Sequence, residues 1–584
     1  MNFKLRIVAL LLLVMVVFTS CSLEGFISGF GTDTETTEST KWKPKQTTAT
    51  TTTTGTTTPE DPEFSRDDVS TSKLELLERF TATPEEFAAV MDLLDRWLAG
   101  ALPTEGGDPT VGSLTIEEVD AMYQEFEIAF YHLAEQRTLA TIIYYYNTSD
   151  EEASKRYLDT QDAFLDVNDK YNTVLREMYL NSPYSAELFA DWTEEEIQSL
   201  LDYDPTIMAL RKEIEELQVE VDNLDDNAKD YNDKSTALYV QIVTKNNQLA
   251  KLYGYDNYYT YASENVYSRD YEAEDLAAFR EYIIEYVVPN FENVSNDFYA
   301  YRGLAEWKKN QFINFIQGSF DSLNKNYLVM YLDSLEGTMG DSMRHMFENK
   351  NCIFSDIGTS HPTAFCTYLY ETEQPFCLFG KNGQSSTTMV HEIGHYYANL
   401  VNPDLGNYDL LETHSQGNEF LFLDFCKDYM NEEVYSCAMG YQLVNACYVM
   451  IMATIIDEFE QEVYALESVE GMTSADFDAI MTKVCEKYGG AEWVTGKLAD
   501  PYSYWRMVAI SNPVYYISYA VSSVAAVEIA ALVEEDQAAA YEAYRILAED
   551  VLPEDGFIKA LEKAGLGSPF EEETYEKVAG LLSK

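Results

Sequence analysis

The sequence predicts a mainly α protein carrying one small β sheet, and three observations support that prediction. From about residue 72 to 340, apolar residues recur at helical spacing almost throughout. Between residues 350 and 384 the pattern changes to short β-prone runs bounded by turn residues. After residue 385 the helical pattern returns and holds to the C-terminus. At 584 residues the chain is too long for one compact core, which predicts two or more lobes.

The first segment, residues 1–21, reads as a secretory leader. Lys4 and Arg6 form its basic start and residues 7–18 its apolar stretch. That stretch is shorter than the roughly 20 residues a membrane-spanning helix needs. It ends in Phe18-Thr19-Ser20-Cys21, which resembles the lipobox of bacterial lipoproteins, with Phe18 where Leu is commoner. The resemblance implies cleavage before Cys21 and acylation of its thiol. The expected location is therefore the outer face of a bacterial membrane, of the Gram-positive cell-surface type, anchored by lipid without crossing. No later run is read as a transmembrane span.

Residues 22–71 form the expected tether. Within them residues 32–66 are poor in hydrophobics and rich in Thr, as in the run Thr50-Thr51-Thr52-Thr53-Thr54. Such a segment buries too little surface to offset the entropy of ordering, and as a random coil it reaches roughly 30–35 Å. Residues 72–340 form the expected helical lobe. There Leu210, Ile214, Leu217, Val221 and Leu224 alternate spacings of four and three, the seam of one packed helix. A second long helix after Asn227-Ala228-Lys229 is expected to return antiparallel, making an intramolecular hairpin. Residues 341–584 form the second lobe. Its strands are expected at residues 364–370 and at Pro375-Phe376-Cys377-Leu378-Phe379, with Gly380-Lys381-Asn382-Gly383 breaking the second.

Charge narrows the partners. Lys and Arg total 39 against 100 Asp and Glu, a formal charge of -61. Such a surface repels nucleic acid and anionic lipid, so neither is expected as a partner. Seven cysteines follow Cys21, with no CxxC spacing, and most read as small buried hydrophobes.

The chemistry concentrates at His391-Glu392-Ile393-Gly394-His395. Histidines four apart project from one face of a helix, so both imidazoles can reach one Zn²⁺ at about 2.0–2.1 Å. Glu392, beside the first ligand, is placed to take a proton from water activated by the metal. A catalytic zinc needs a third protein ligand. Ala398 and Val401 stand where a three-histidine arrangement would need Gly and His, which leaves Glu412, His414 and Glu419. Glu412 and Glu419 lie seven apart on a helical stretch, so one can bind the ion while the other supports the site from behind.

These residues resemble a known family. Glu412-Thr413-His414-Ser415-Gln416-Gly417-Asn418-Glu419 is similar to the second motif of thimet oligopeptidase and oligoendopeptidase F relatives, in which a zinc-ligand Glu precedes Ser at +3, Gln at +4 and Glu at +7. The first motif matches His391 to His395, including Gly394. Leu252-Tyr253-Gly254-Tyr255-Asp256-Asn257-Tyr258 and Ala364-Phe365-Cys366 are similar to further family segments. The resemblance spans residues 75–584. It implies one Zn²⁺ per chain on His391, His395 and Glu412, with Glu392 as general base and Glu419 and Ser415 supporting the ligands. It also implies two lobes around a deep channel that admits short peptides. The strand Phe376-Cys377-Leu378 would pair with the peptide backbone.

Pro513-Val514-Tyr515-Tyr516-Ile517-Ser518-Tyr519-Ala520 is similar to the family's Tyr-rich segment facing the zinc, which makes Tyr519, together with Tyr516, the expected oxyanion donor. One departure stands out: relatives carry a His several residues before this segment, whereas Arg506 to Asn512 contains none. His414 is expected to face solvent or the core rather than the metal. The implied activity is zinc-dependent endopeptidase action on short oligopeptides outside the cell. The alternatives are an impaired peptide-binding lipoprotein of the same fold, which the absent His favours, and a zinc carboxypeptidase or dipeptidase.

Overall fold

A computed structural model of the chain describes residues 66–583 apart from 205, 226–227 and 318–323. The leader, Cys21 and the Thr-rich run lie outside the described residues. The end of the expected tether is docked rather than free. Arg66–Val69 is a helical turn, Arg66 pairs with Asp356 at 2.6 Å, and the Thr71 N–H donates to the Cys352 carbonyl.

The helices that build the frame are, in order, α1 (Pro84–Ala101), α2 (Ile116–Tyr146), α3 (Glu151–Asn181), α4 (Thr206–Asp222), α5 (Tyr231–Leu252) and α6 (Gly337–Glu348). Their starts are legible locally. Thr83 and Thr115 each accept from the N–H three residues on, where Glu86 and Glu118 return the bond, a reciprocal cap that satisfies two otherwise orphaned donors. Phe87, Val90, Leu94 and Trp97 of α1 bury against Phe126 and Phe130 of α2 and Phe164, Tyr171 and Leu175 of α3, a core of their own. Helices α4 and α5 form the expected hairpin. Leu217 is buried, while Leu210, Ile214 and Val221 pack partly buried against the main core.

Three strands follow: β1 (Cys352–Phe354), β2 (Ala364–Leu369) and β3 (Gln374–Phe379), in the order β1-β3-β2. β1 runs parallel to β3 and β2 antiparallel to it. β1 is too short to show an alternation in sequence and was not expected. The sheet corrects one assignment. Phe376, Cys377 and Leu378 lie on the central strand, which has a neighbour on each side, so that strand cannot receive a peptide. Pleating separates its faces. Cys352, Cys377 and Cys366 share one row against the main core, while Ile353, Leu378 and Phe365 share the next row against Leu139, Ile142 and Ile143 of α2.

The remaining frame is α7 (Ser386–Val401), α8 (Tyr408–Lys427), α9 (Glu432–Tyr464), α10 (Pro501–Ser511), α11 (Ile517–Glu535) and α12 (Gln537–Glu549). Helices α9 and α11 correct the expectation that no later run could span a membrane. Both are long and apolar enough by composition, yet 83% and 78% of their most apolar windows are buried inside the protein. They are core helices, apolar on all sides because neighbours surround them. All seven cysteines among the described residues are buried and unbridged.

Candidate metal centre

Two helices deliver the site. α7 starts where the Ser385 hydroxyl accepts from the Thr388 N–H, and α8 where the Asn407 side chain accepts from the Leu410 N–H. They cross at Gly394. A Cβ there would stand 2.5 Å from the His414 carbonyl oxygen and 2.8 Å from the Ser415 Cα. Only a residue without a side chain lets α8 approach this closely. That approach carries Glu412 to the two histidines.

One ligand atom each from His391, His395 and Glu412 lies within 4.8 Å of the others, all three residues being buried. Glu412 Oε2 stands 3.6 Å from His391 Nε2 and 3.5 Å from His395 Nε2. Ligands about 2.0–2.2 Å from one tetrahedral ion stand about 3.3–3.5 Å apart, so this spacing fits Zn²⁺. Both imidazole Nε2 atoms are buried without a hydrogen-bond partner. Buried polar atoms left this way are costly, and a cation would satisfy both.

The surrounding bonds orient the ligands. His391 Nδ1 lies 2.6 Å from Glu419 Oε1, and Gln442 of α9 donates to the other oxygen of Glu419. A carboxylate behind a histidine fixes its tautomer and turns Nε2 toward the metal. Ser415 donates to Glu412 Oε2 at 3.0 Å. Asn418 donates to the Val390 carbonyl at 2.7 Å and accepts from Tyr331, tying α8 to α7 behind the site.

Burial dominates the electrostatics. It drives Glu392 well above the ordinary carboxylate range, with Cys366, Glu412 and Glu419 adding to it. Burial likewise pushes Glu412 up to about 7, against His391 and the tyrosine and serine hydroxyls that lower it. His395 is held well below its usual value by burial and by His391 and His414. For His391 burial acts downward too, but Glu419 and Glu412 outweigh it and raise the imidazole. The carboxyl Oε2 of Glu392 is buried with no hydrogen-bond partner, which leaves it available for a proton.

The Tyr-rich segment meets this group. Tyr519 is buried, its hydroxyl lies beside Glu412, and its ring stands 5.0 Å from Tyr515 and 5.4 Å from Tyr516. Tyr516 packs edge-on against Tyr504 of α10. The hydroxyl on Glu412 Oε1 belongs to Tyr515, which sequence reasoning passed over. Tyr515 stands four residues before Tyr519, ahead of the first turn of α11 and just after a left-handed residue, Val514 at φ 64°. His414 faces the core: it is fully buried, and Tyr544 donates to its carbonyl at 2.8 Å.

A buried His-Glu-x-x-His helix and a carboxylate from the next helix thus form a group that could hold a metal ion. No family model and no curated protein matches the chain. Among solved structures it is similar to a PZ peptidase A with inhibitor 2, at TM-score 0.65 and 18% identity over 86% of this chain and 97% of that one. It is also similar to a proposed oligoendopeptidase F, at TM-score 0.62 and 18% identity over 89% and 97%. A second such protein, from Bacillus anthracis str. Ames, gives 0.61 and 18% over 89% and 96%. The chain therefore has the oligoendopeptidase fold.

Proposed function

We propose that the chain is a zinc-dependent endopeptidase of short oligopeptides, acting outside the cell from a lipid anchor at Cys21. One observation carries the reading: the convergence of His391 Nε2, His395 Nε2 and Glu412 Oε2 at tetrahedral spacing, beside the unpartnered Glu392 carboxyl. His391, His395 and Glu412 would hold the ion. Bound there, Zn²⁺ supplies Lewis-acid polarisation of a carbonyl and brings the pKa of water toward neutrality.

The chain's own groups do the rest. Glu392 takes the proton of the water that attacks the scissile carbonyl and hands it to the departing amine. Its burial suits it to hold that proton between the two steps. Tyr519 donates to the oxygen that becomes negative, a contribution of about 10²–10³ in rate. The peptide backbone pairs with β2, the edge strand whose Cys366 lies beside Glu392, rather than with the three-residue edge strand β1. An extended peptide on that edge runs past the general base.

The test is cleavage of a quenched peptide of about nine residues, blocked at both ends, with and without a chelator. Cleavage that a chelator abolishes and zinc restores is the expected result. No cleavage by zinc-loaded, folded protein across a diverse peptide pool sinks the reading and favours a peptide-binding role. Cleavage only of peptides with a free C-terminus makes it a carboxypeptidase.

A further inference from the structure

Val514 is the one β-branched position among the described residues with a left-handed backbone, at φ 64°. A β-branched side chain is disfavoured there, so the conformation persists only where its surroundings hold it. The surroundings are specific. The Val514 N–H donates to Glu460 Oε1 on α9 at 2.8 Å. Arg269 Nη2 donates to the Val514 carbonyl at 2.7 Å, to the Tyr515 carbonyl at 3.3 Å and to the Ser518 hydroxyl at 3.1 Å. The Tyr267 hydroxyl donates to the Pro513 carbonyl at 2.7 Å, and the Arg269 guanidinium lies 4.6 Å from the Tyr267 ring centre.

These bonds have a common consequence. The turn aims Tyr515 so that its hydroxyl meets Glu412 Oε1. The other oxygen, Oε2, is the one that faces both imidazoles. Without the Tyr515 bond, Oε1 is no longer occupied and the carboxylate, still held by Ser415 at Oε2, can offer both oxygens to one ion.

We propose that Arg269 and Glu460 are positioning residues of the metal centre. They hold the left-handed turn at Val514, so that Tyr515 occupies Glu412 Oε1 and leaves Oε2 as the single oxygen offered to the ion. The inference rests on the zinc reading above. It makes the ligand geometry depend on residue 269, in a segment that belongs to neither α7 nor α8. The same segment is locked to α8 directly, because the Asn407 side chain donates to the Ser268 carbonyl at 3.0 Å.

The test is zinc affinity, measured by competition with a chromophoric chelator, alongside the melting temperature of each variant. Tyr515→Phe keeps the ring and removes the hydroxyl, so it is expected to weaken zinc binding about 10–100-fold while the fold persists. Arg269→Met is expected to weaken it about tenfold or more. Val514→Gly alone leaves affinity near the unmodified value, because glycine adopts φ 64° freely, while the loss of a buried side chain lowers the melting temperature. Added to Arg269→Met, Val514→Gly restores most of the lost affinity. Glu460→Gln, which keeps the acceptor, behaves as the unmodified protein, and Glu460→Leu does not. Unchanged affinity in Tyr515→Phe overturns the inference even if the Arg269 variants fail to fold. A loss in Arg269→Met that Val514→Gly leaves in place makes Arg269 merely structural, and also overturns it. Failure of the unmodified protein to bind zinc overturns the zinc reading itself, and shows before any variant is made.

Discussion

Two regions of this protein bury polar groups deeply, and they resolve the cost in opposite ways. Among α2, α3 and α4 one set of polar side chains is joined by bonds within itself. Arg137 donates to Gln161, Gln161 donates to Thr141, Tyr157 donates to Glu215 at 2.9 Å, and Tyr144 and Tyr145 both donate to Asp222. Around α7 and α8 the bonded groups surround a centre that is left open. Glu419, Gln442, Ser415 and Tyr515 are all bonded, but His391 Nε2, His395 Nε2 and Glu392 Oε2 have no hydrogen-bond partner. A closed network specifies packing, whereas one left open at a single point invites a species from outside the chain. The difference separates a structural polar core from a working one.

The largest expected effect acts on the open end. Glu392→Gln keeps the shape and removes the proton acceptor. Peptide hydrolysis is expected to fall about 10²–10⁴-fold while zinc binding stays within a few-fold. Turnover at the level of the unmodified protein would remove Glu392 from the chemistry. Next is metal removal. If the centre is completed by an ion, saturating zinc at a thousand times its dissociation constant stabilises the fold by about 4 kcal/mol. Calorimetry with and without chelator should show a drop in melting temperature. The drop should vanish in His391→Ala and persist in Gln161→Leu, which damages only the closed network.

Gly394→Ala probes the contact that brings the two helices together. The added Cβ meets backbone at 2.5 Å, and backbone cannot swing aside as a flexible side chain does. The expected cost is about 1–3 kcal/mol of stability, with weaker zinc binding as α8 shifts. Stability loss with full zinc affinity would show that α8 can move without disturbing Glu412.

Much of this was legible in the sequence, for physical reasons that also explain what was not. His391, His395 and the pair Glu412 and Glu419 could be read because helix periodicity converts spacing into direction. Glu419 does stand behind His391, two turns from Glu412. Gly394 was visible as part of a motif, but its purpose, a close helix crossing, exists only in three dimensions. β1 escaped because three residues carry no period, and without it β3 looked like an edge strand. Tyr515 stands at helical spacing from Tyr519, but its bond to Glu412, a residue 103 positions away, exists only in three dimensions. The long apolar helices α9 and α11 show the reverse: their composition alone fits a membrane, and only their neighbours show them to be core.

The smallest expected effect sharpens the comparison from the closed side. Asp222 accepts from Tyr144 at 3.3 Å and Tyr145 at 3.1 Å, yet its environment raises its pKa from 3.8 to about 6, burial outweighing the two hydroxyls. A raised carboxyl binds its proton more tightly in the folded chain than in the unfolded one. Its contribution to stability is therefore full below pH 3.8 and is lost as pH rises through about 6. Replacing it with Asn keeps an acceptor for the tyrosines and removes the charge. Other carboxylates dominate the absolute acid profile, so the informative quantity is the stability difference between Asp222→Asn and the unmodified protein. Because Asp222 is only partly buried, that difference should move by up to about 2 kcal/mol in the variant's favour between pH 4 and pH 7. Urea melts at four pH values read it directly. A difference independent of pH would mean that the ionised form is solvated or paired in the folded protein. In that case the helical region would hold a charge as readily as the metal centre does, and the contrast between closed and open networks would rest on the metal ligands alone.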